Sequence, residues 1–222
     1  MTLSVGAKLP KKRFAVGTLG WTADDLDDPR IEKMWERGRY EIVEGVLTEM
    51  PAARFDTSQP LLRLLFRLQG FVDRRGLGGS CATETDVIVA KQRVAIVDGI
   101  YLTAEDERRQ AALYARKPNR HPRVRFGRLM IAPTLIIENI SLGHEAHDRE
   151  TKFSWYAQAG VKNYWMLDPY RRSLECFVLA KSSYRLDTSG CENDLVRPAL
   201  FKGLTLRLAE LWRPIEMDDG PT

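Results

Sequence analysis

Between Arg39 and Met50 the chain reads RYEIVEGVLTEM, with apolar and polar residues alternating on both sides of Glu44-Gly45. A period of two interrupted by Glu-Gly predicts a β-hairpin, and Pro51 ends it. The period then changes. Leu61, Leu62, Leu65, Phe66, Leu68 and Val72 recur at helical spacing, punctuated by Arg63, Arg67, Asp73 and Arg74. Residues 58–75 are therefore expected to form an amphipathic helix, stopped by Gly76, Gly78 and Gly79. Thr85 to Val89 and Val94 to Leu102 predict two strands joined near Lys91-Gln92. PTLIIENI, residues 133–140, is an unbroken apolar run of the kind expected of a strand buried on both faces. A helix is expected over Asp148–Ala159 with Gly160 as its stop, then strands at 162–167 and 174–180. A short strand near Tyr184, a turn at Gly203-Leu204 and a final amphipathic turn over 208–212 complete the pattern.

The resulting order is hairpin, helix, two strands, an insertion, strand, helix, strand, strand. This predicts an α/β fold (α+β, mixed sheet) with helices on its faces, and a right-handed parallel crossover over 133–167. Residues 1–30 read as an irregular arm. Its Asp24, Asp25, Asp27 and Asp28 are taken as solvated-loop and helix-start residues ahead of a short helix at 31–38. From Ala104 to about residue 130 the character shifts: 108–128 holds eight Lys or Arg and no acidic residue. A partly helical start followed by an extended connection is expected there.

Composition narrows the class without naming a function. A chain of 222 residues, 44% hydrophobic and 29% charged, can bury a core without staples. The excess of 34 basic over 30 acidic residues, +4, permits a nucleic-acid partner without requiring one. Three cysteines without paired spacing argue against a disulfide framework and a cysteine zinc site. No apolar run is long enough to span a membrane, and Met1–Val16 lacks the apolar core of a secretory signal, so a cytoplasmic protein is expected.

The candidate chemistry lies in charges placed inside apolar strands. Asp98 sits in VAIVDGIYL, where strict alternation puts it on one face with Ile96 and Ile100. Glu138 sits in LIIENI, on one face with Ile136 and Ile140. An ionised carboxylate in such a setting costs several kcal/mol unless a cation or hydrogen-bond donors meet it. Two of them on two strands suggest a shared cation, and an all-oxygen site suits Mg²⁺ or Mn²⁺. The alternative is that each reaches solvent at a strand end. Asp148, Lys152 and Tyr156 are spaced by four and share a helix face. Lys152 is then either an ammonium delivered to the Glu138 strand or half of a surface pair with Asp148. His144 and His147 read as loop residues, because no third ligand stands near them. Ser141 lacks the G-x-S-x-G context of a hydrolase nucleophile. The 108–128 stretch either follows a phosphate backbone or is a solvated insertion.

Taken together, these segments resemble the Uma-type restriction endonuclease family, formerly a domain of unknown function. RYEIVEGVLTEM resembles its opening hairpin. PTLIIENIS, the Asp148–Lys152–Tyr156 spacing and AGVKNYWMLDP resemble its central segment, and FKGLTLRLAELW its close. The resemblance covers about residues 31–213. It implies one PD-(D/E)XK nuclease-like domain there, with the basic insertion at 104–130 and a tail at 214–222. It also implies roles. Asp98 matches the aspartate of the "PD" strand, with Val97 in place of the proline, and Glu138 matches the acid of the second half-motif. Lys152 stands in for the lysine absent at Ile140, and Glu41 of the hairpin is an additional acid. Thr134 occupies the place of a second-motif aspartate, and Ser58, Gln59 and Pro60 stand where the family tends to carry a histidine. The implied activity is Mg²⁺-dependent (or Mn²⁺-dependent) hydrolysis of double-stranded DNA, with a homodimer compatible with that work. The alternative is a catalytically inactive relative that binds nucleic acid or protein.

Overall fold

The computed structural model describes residues 12–52, 54–117, 123–140 and 147–212. Asp28 caps the first helix, α1 (Pro29–Trp35), by accepting from Arg30 N, with Pro29 at its first turn. The expected hairpin follows as β1 (Tyr40–Val43) and β2 (Val46–Glu49). Glu44 and Gly45 both take positive φ, 48° and 79°. Two left-handed residues give the turn whose twist matches paired strands.

Helix α2 (Phe55–Arg75) begins three residues before the expected start and ends on Gly76 in the left-handed conformation. Leu77 N closes that end on Val72 O at 3.1 Å. Strands β3 (Ser80–Ala90) and β4 (Arg93–Leu102) are both present, β3 five residues longer at its start than its apolar pattern suggested. Helix α3 (Ala104–Tyr114) opens on a capping box between Thr103 and Asp106. Then come β5 (Leu135–Asn139), a π-helical turn over His147–Lys152, α4 (Phe153–Gln158), β6 (Asn163–Asp168), β7 (Ser173–Ala180) and β8 (Ser183–Cys191). A small β9 (Leu195–Val196) and β10 (Leu206–Arg207) pair with each other. The expected short strand near Tyr184 is in fact nine residues. Its SYRLDTSGC is mostly polar because most of the strand faces solvent, which hides it from a hydrophobicity pattern. The Ser141–Glu145 loop, His121 and the tail from 213 onward lie outside the described residues.

Eight strands form one mixed sheet. The parallel crossover is there: β5 and β6 run parallel from Leu135↔Asn163 to Asn139↔Leu167. The Leu61, Leu64, Leu65 and Leu68 side of α2 packs over Leu135, Ile137 and Trp165. Tyr156 of α4 packs with Ile136, Ile140 and Tyr164 on the other face. The N-terminal segment is not all loose: Ala23–Asp27 forms a 3₁₀ turn, and Trp21 is buried among Trp35, Ile42 and Leu47.

What places the site is the way β4 is shared. β3 pairs with β4 along its whole length, from Ser80↔Leu102 to Ala90↔Arg93. The opposite edge of β4 is divided. β1 meets it at Ile42↔Val94, and β5 meets it only from Gly99↔Ile137 to Tyr101↔Leu135. Between these two contacts the sheet forks. β4 is also irregular at the fork. Ala95 and Val97 before Asp98 join Ile100 and Leu102 after it in one cluster, so alternation breaks at Asp98. Across from the break, Glu84 adopts φ 48°, while its neighbours keep register as Thr83↔Gly99 and Thr85↔Val97. The expectation that Asp98 shares a face with both Ile96 and Ile100 is therefore corrected. Ile100 faces the α4 side, and Ile96 lines a cavity beside α1.

The junction of β3 with α2 leaves no room for a side chain at Gly79. A Cβ there would lie 2.1 Å from Leu102 O, at φ 89°. Gly79→Ala is expected to destabilise the fold by about 2–4 kcal/mol, read as a lowered urea midpoint with an unchanged slope.

Candidate active site

The fork leaves backbone donors without a strand partner, and side-chain carboxylates take them. Glu41 Oε1 accepts from Ile96 N at 3.0 Å, continuing the β1–β4 pairing where the ladder stops. One step past the Gly99↔Ile137 pair stand Asp98 and Glu138. Asp98 Oδ2 accepts from Asn139 N at 2.8 Å, replacing the next rung of the β4–β5 ladder. Glu138 turns to the α4 side. Both its oxygens are bound: Tyr156 donates its hydroxyl to Oε1 at 2.5 Å, and Lys152 Nζ donates to Oε2 at 3.1 Å. The same ammonium lies 3.8 Å from Glu41 Oε1. Lys152 therefore spans the fork, joining the acid of β1 to the acid of β5.

Burial makes this arrangement costly to disturb. Glu41 and Glu138 are each 1% exposed and Lys152 4%. Asp98 is only partly buried, so it is the acid of the three that solvent reaches. Tyr156 is fully buried beside Glu138, and both effects hold its hydroxyl protonated far above the usual phenol range, burial first. Its ring packs against Tyr164, 5.4 Å between centroids. The π-helical turn that ends at Lys152 precedes α4, so Lys152 and Tyr156, four apart, both reach one carboxylate. The Asp148 side chain lies outside the described residues. Among the described residues no three His, Cys, Asp or Glu side chains converge as a ligand cluster. A cation is already at the fork, and it is the lysine.

The four residues expected from the sequence, Glu41, Asp98, Glu138 and Lys152, thus meet at one place, directly through Lys152 for three of them. Two were missed. Tyr156 was visible in the four-residue spacing, but its hydroxyl was given no task. Asn139 follows Glu138 and had no signal of its own. Its Nδ2 donates to Thr57 O at 2.8 Å, while its Oδ1 is buried with no hydrogen-bond partner among the described residues.

The basic insertion is a built element. Buried Gln110 of α3 clamps it, donating to Phe126 O (2.6 Å) and Arg128 O (2.9 Å) and accepting from Met130 N (2.9 Å). Arg128 pairs with Glu32 and Asp86, and Lys117 with Asp27. These two basic residues are spent internally, whereas Arg108, Arg109, Arg116, Arg123 and Arg125 are exposed. Thr134 donates to Asp106 Oδ2 at 2.5 Å, and an aspartate at 134 would set two carboxylates against each other.

Residues 29–209 match the family described as Uma2, "Putative restriction endonuclease". The chain belongs to that family. It is also similar to a solved structure described as a "putative nuclease belonging to DUF820" from Anabaena variabilis. The two share 14% sequence identity at a TM-score of 0.60, over 79% of this chain and 90% of that one. At that identity the likeness establishes the fold, a mixed sheet flanked by helices. No curated protein matches. Among the described residues no helix is long and apolar enough to cross a membrane.

Removing one member of the fork leaves the others charged and buried. Lys152→Met is expected to cost about 3–5 kcal/mol, because Glu41 and Glu138 then lose the cation facing them. Tyr156→Phe removes one hydrogen bond to a charged group and should cost about 1.5–3 kcal/mol. Guanidinium unfolding of both variants beside wild type checks the ranking, and equal midpoints for all three would contradict it.

Proposed function

We propose that the protein is a divalent-metal-dependent nuclease that hydrolyses phosphodiester bonds of double-stranded DNA. The observation that carries this reading is the fork itself: Glu41, Asp98, Glu138 and Lys152 gathered on adjacent strands and the following helix of a chain in a nuclease-like family.

The donor chemistry fits a hard cation. Every candidate ligand is an oxygen, and Asn139 Oδ1, a buried acceptor beside the acids with no hydrogen-bond partner among the described residues, is a carbonyl-type oxygen of the sort Mg²⁺ and Mn²⁺ accept. Asp98 and Glu138 would hold the ion. Such an ion lowers the pKa of a bound water and offsets charge on the phosphate. The chain's own groups do the rest. Tyr156 keeps Glu138 Oε1 engaged and so orients the carboxylate. Glu41 holds Lys152 at the fork, where its ammonium can favour a deprotonated water or stabilise charge developing on phosphate oxygens. Asp98, the solvent-reached acid, faces the side from which substrate enters. The exposed arginines of the insertion would track the DNA backbone, making affinity fall steeply with salt. A homodimer would let each protomer cut one strand.

Plasmid cleavage at low salt tests this. Wild type is expected to nick or cut with Mg²⁺ or Mn²⁺ and not with EDTA. Asp98→Ala and Glu138→Ala should lose at least about 100-fold in rate while remaining folded by circular dichroism. A wild type that is inert with every metal yet shifts DNA on a gel would overturn catalysis in favour of a binding module.

A further inference from the structure

Beside the fork, between α1, β3 and the clamped insertion, lies a cavity of about 900 Å³. It shares two features with the acids. Ile96, which lines it, is the residue whose N–H Glu41 accepts. Glu84, at its wall, stands across β4 from Asp98 and holds a left-handed backbone at φ 48°. A non-glycine residue in that conformation costs of order 1–3 kcal/mol, and such strain gathers at functional positions.

The wall is rich in charge but nearly self-neutralised. Arg128 is matched to Glu32 and Asp86, and Arg39 to Glu84. Exposed Lys33 and Glu36 line it as well, so the wall offers a phosphate no net positive charge. Ile88, Ile96 and Met130 supply apolar wall between the pairs. Within the wall a buried donor is left over: Arg39 Nε has no hydrogen-bond partner among the described residues. Leaving such a donor unmade costs about 1–3 kcal/mol, which an acceptor on a ligand would recover. The best match is a ligand that is uncharged, partly apolar and equipped with hydrogen-bond acceptors. The volume lies within the range of small-molecule sites and exceeds the need of one heterocycle.

We propose that this cavity is a base-binding subsite, taking one nucleobase of the strand whose phosphate lies at the fork. The assignment rests on the nuclease reading and adds to it a residue, Arg39, that contacts the base. A partly apolar pocket with a hydrogen-bond donor in its wall suits the flat face and acceptor edge of a base.

The test titrates full-length protein, in EDTA, with each of the four deoxynucleoside monophosphates and with deoxyribose 5-phosphate as the base-free control. Ligand-observed NMR is the readout. At least one nucleotide is expected to bind at least tenfold more tightly than the control. Arg39→Gln should weaken it about tenfold. Val124→Trp, which fills the cavity mouth from an exposed position, should weaken it likewise, so a folding defect in one variant does not decide the matter. A short single-stranded oligonucleotide should displace the bound nucleotide. Equal binding of nucleotides and control, or variants that bind like wild type, would overturn the subsite. So would an oligonucleotide that fails to compete, since the ligand would then be a free nucleotide. Plasmid cleavage on the same wild-type preparation is independent: cleavage without base binding sinks the subsite alone, while loss of cleavage sinks the nuclease reading.

Discussion

One strand edge shared by two partners organises this molecule. β4 cannot pair with β1 and β5 at the same residues, so on that edge, opposite β3, a stretch of its backbone has no ladder partner. Buried N–H groups must be satisfied. Glu41 satisfies one on β4, Ile96 N, and Asp98 satisfies one on β5, Asn139 N, and these carboxylates bring negative charge into a region that cannot leave it uncompensated. Lys152 arrives from the crossover helix to meet it. Backbone accounting thus explains the acids, the acids explain the lysine, and Tyr156 follows because Glu138 has a second oxygen to satisfy.

The fork also separates two environments. On the α4 side Glu138, Lys152 and Tyr156 are sealed under an aromatic cluster of Phe153, Tyr164 and Tyr184. Asp98, which shares the fork with them, meets solvent beside Asn139. Charge balance is kept in the dry half and access is provided in the wet half. Ile140, which sits where a lysine two residues past Glu138 would stand, is 1% exposed and packs with Tyr156 and Tyr164. Its place in the core shows why the cation comes from the helix instead.

Much of this was legible in the sequence. Continuous apolar runs marked β5, and period-two alternation marked the hairpin. A charged residue inside such a run was the signal for Glu138 and Asp98. The four-residue spacing brought Lys152 into view. What was not legible depends on strand partners rather than on local pattern. Alternation through Asp98 failed where β4 passes from β1 to β5 opposite the left-handed Glu84, and nothing in VAIVDGIYL records those partners. Asn139 gained its position from Asp98 and from Thr57 O, two contacts far apart in the chain. The nine residues of β8 were hidden because an edge strand needs few apolar positions. The basic stretch was half-read: its charge was visible, but which arginines pair inward required knowing that Asp86 and Glu32 stand beside Arg128.

Gln110 carries one further consequence. A single carboxamide holds three backbone groups of residues 126–130, and the Lys117–Asp27 pair fixes the chain before residue 118. Both anchors lie outside the span they bracket, so neither hold depends on a side chain within it. Lengthening that span costs little, since loop-closure entropy grows only with the logarithm of its length, about 0.6 kcal/mol per doubling. Sequence there is free to drift, expand or be exchanged while the fork keeps its geometry. Relatives built on this plan can therefore diversify what they touch without relearning how to fold.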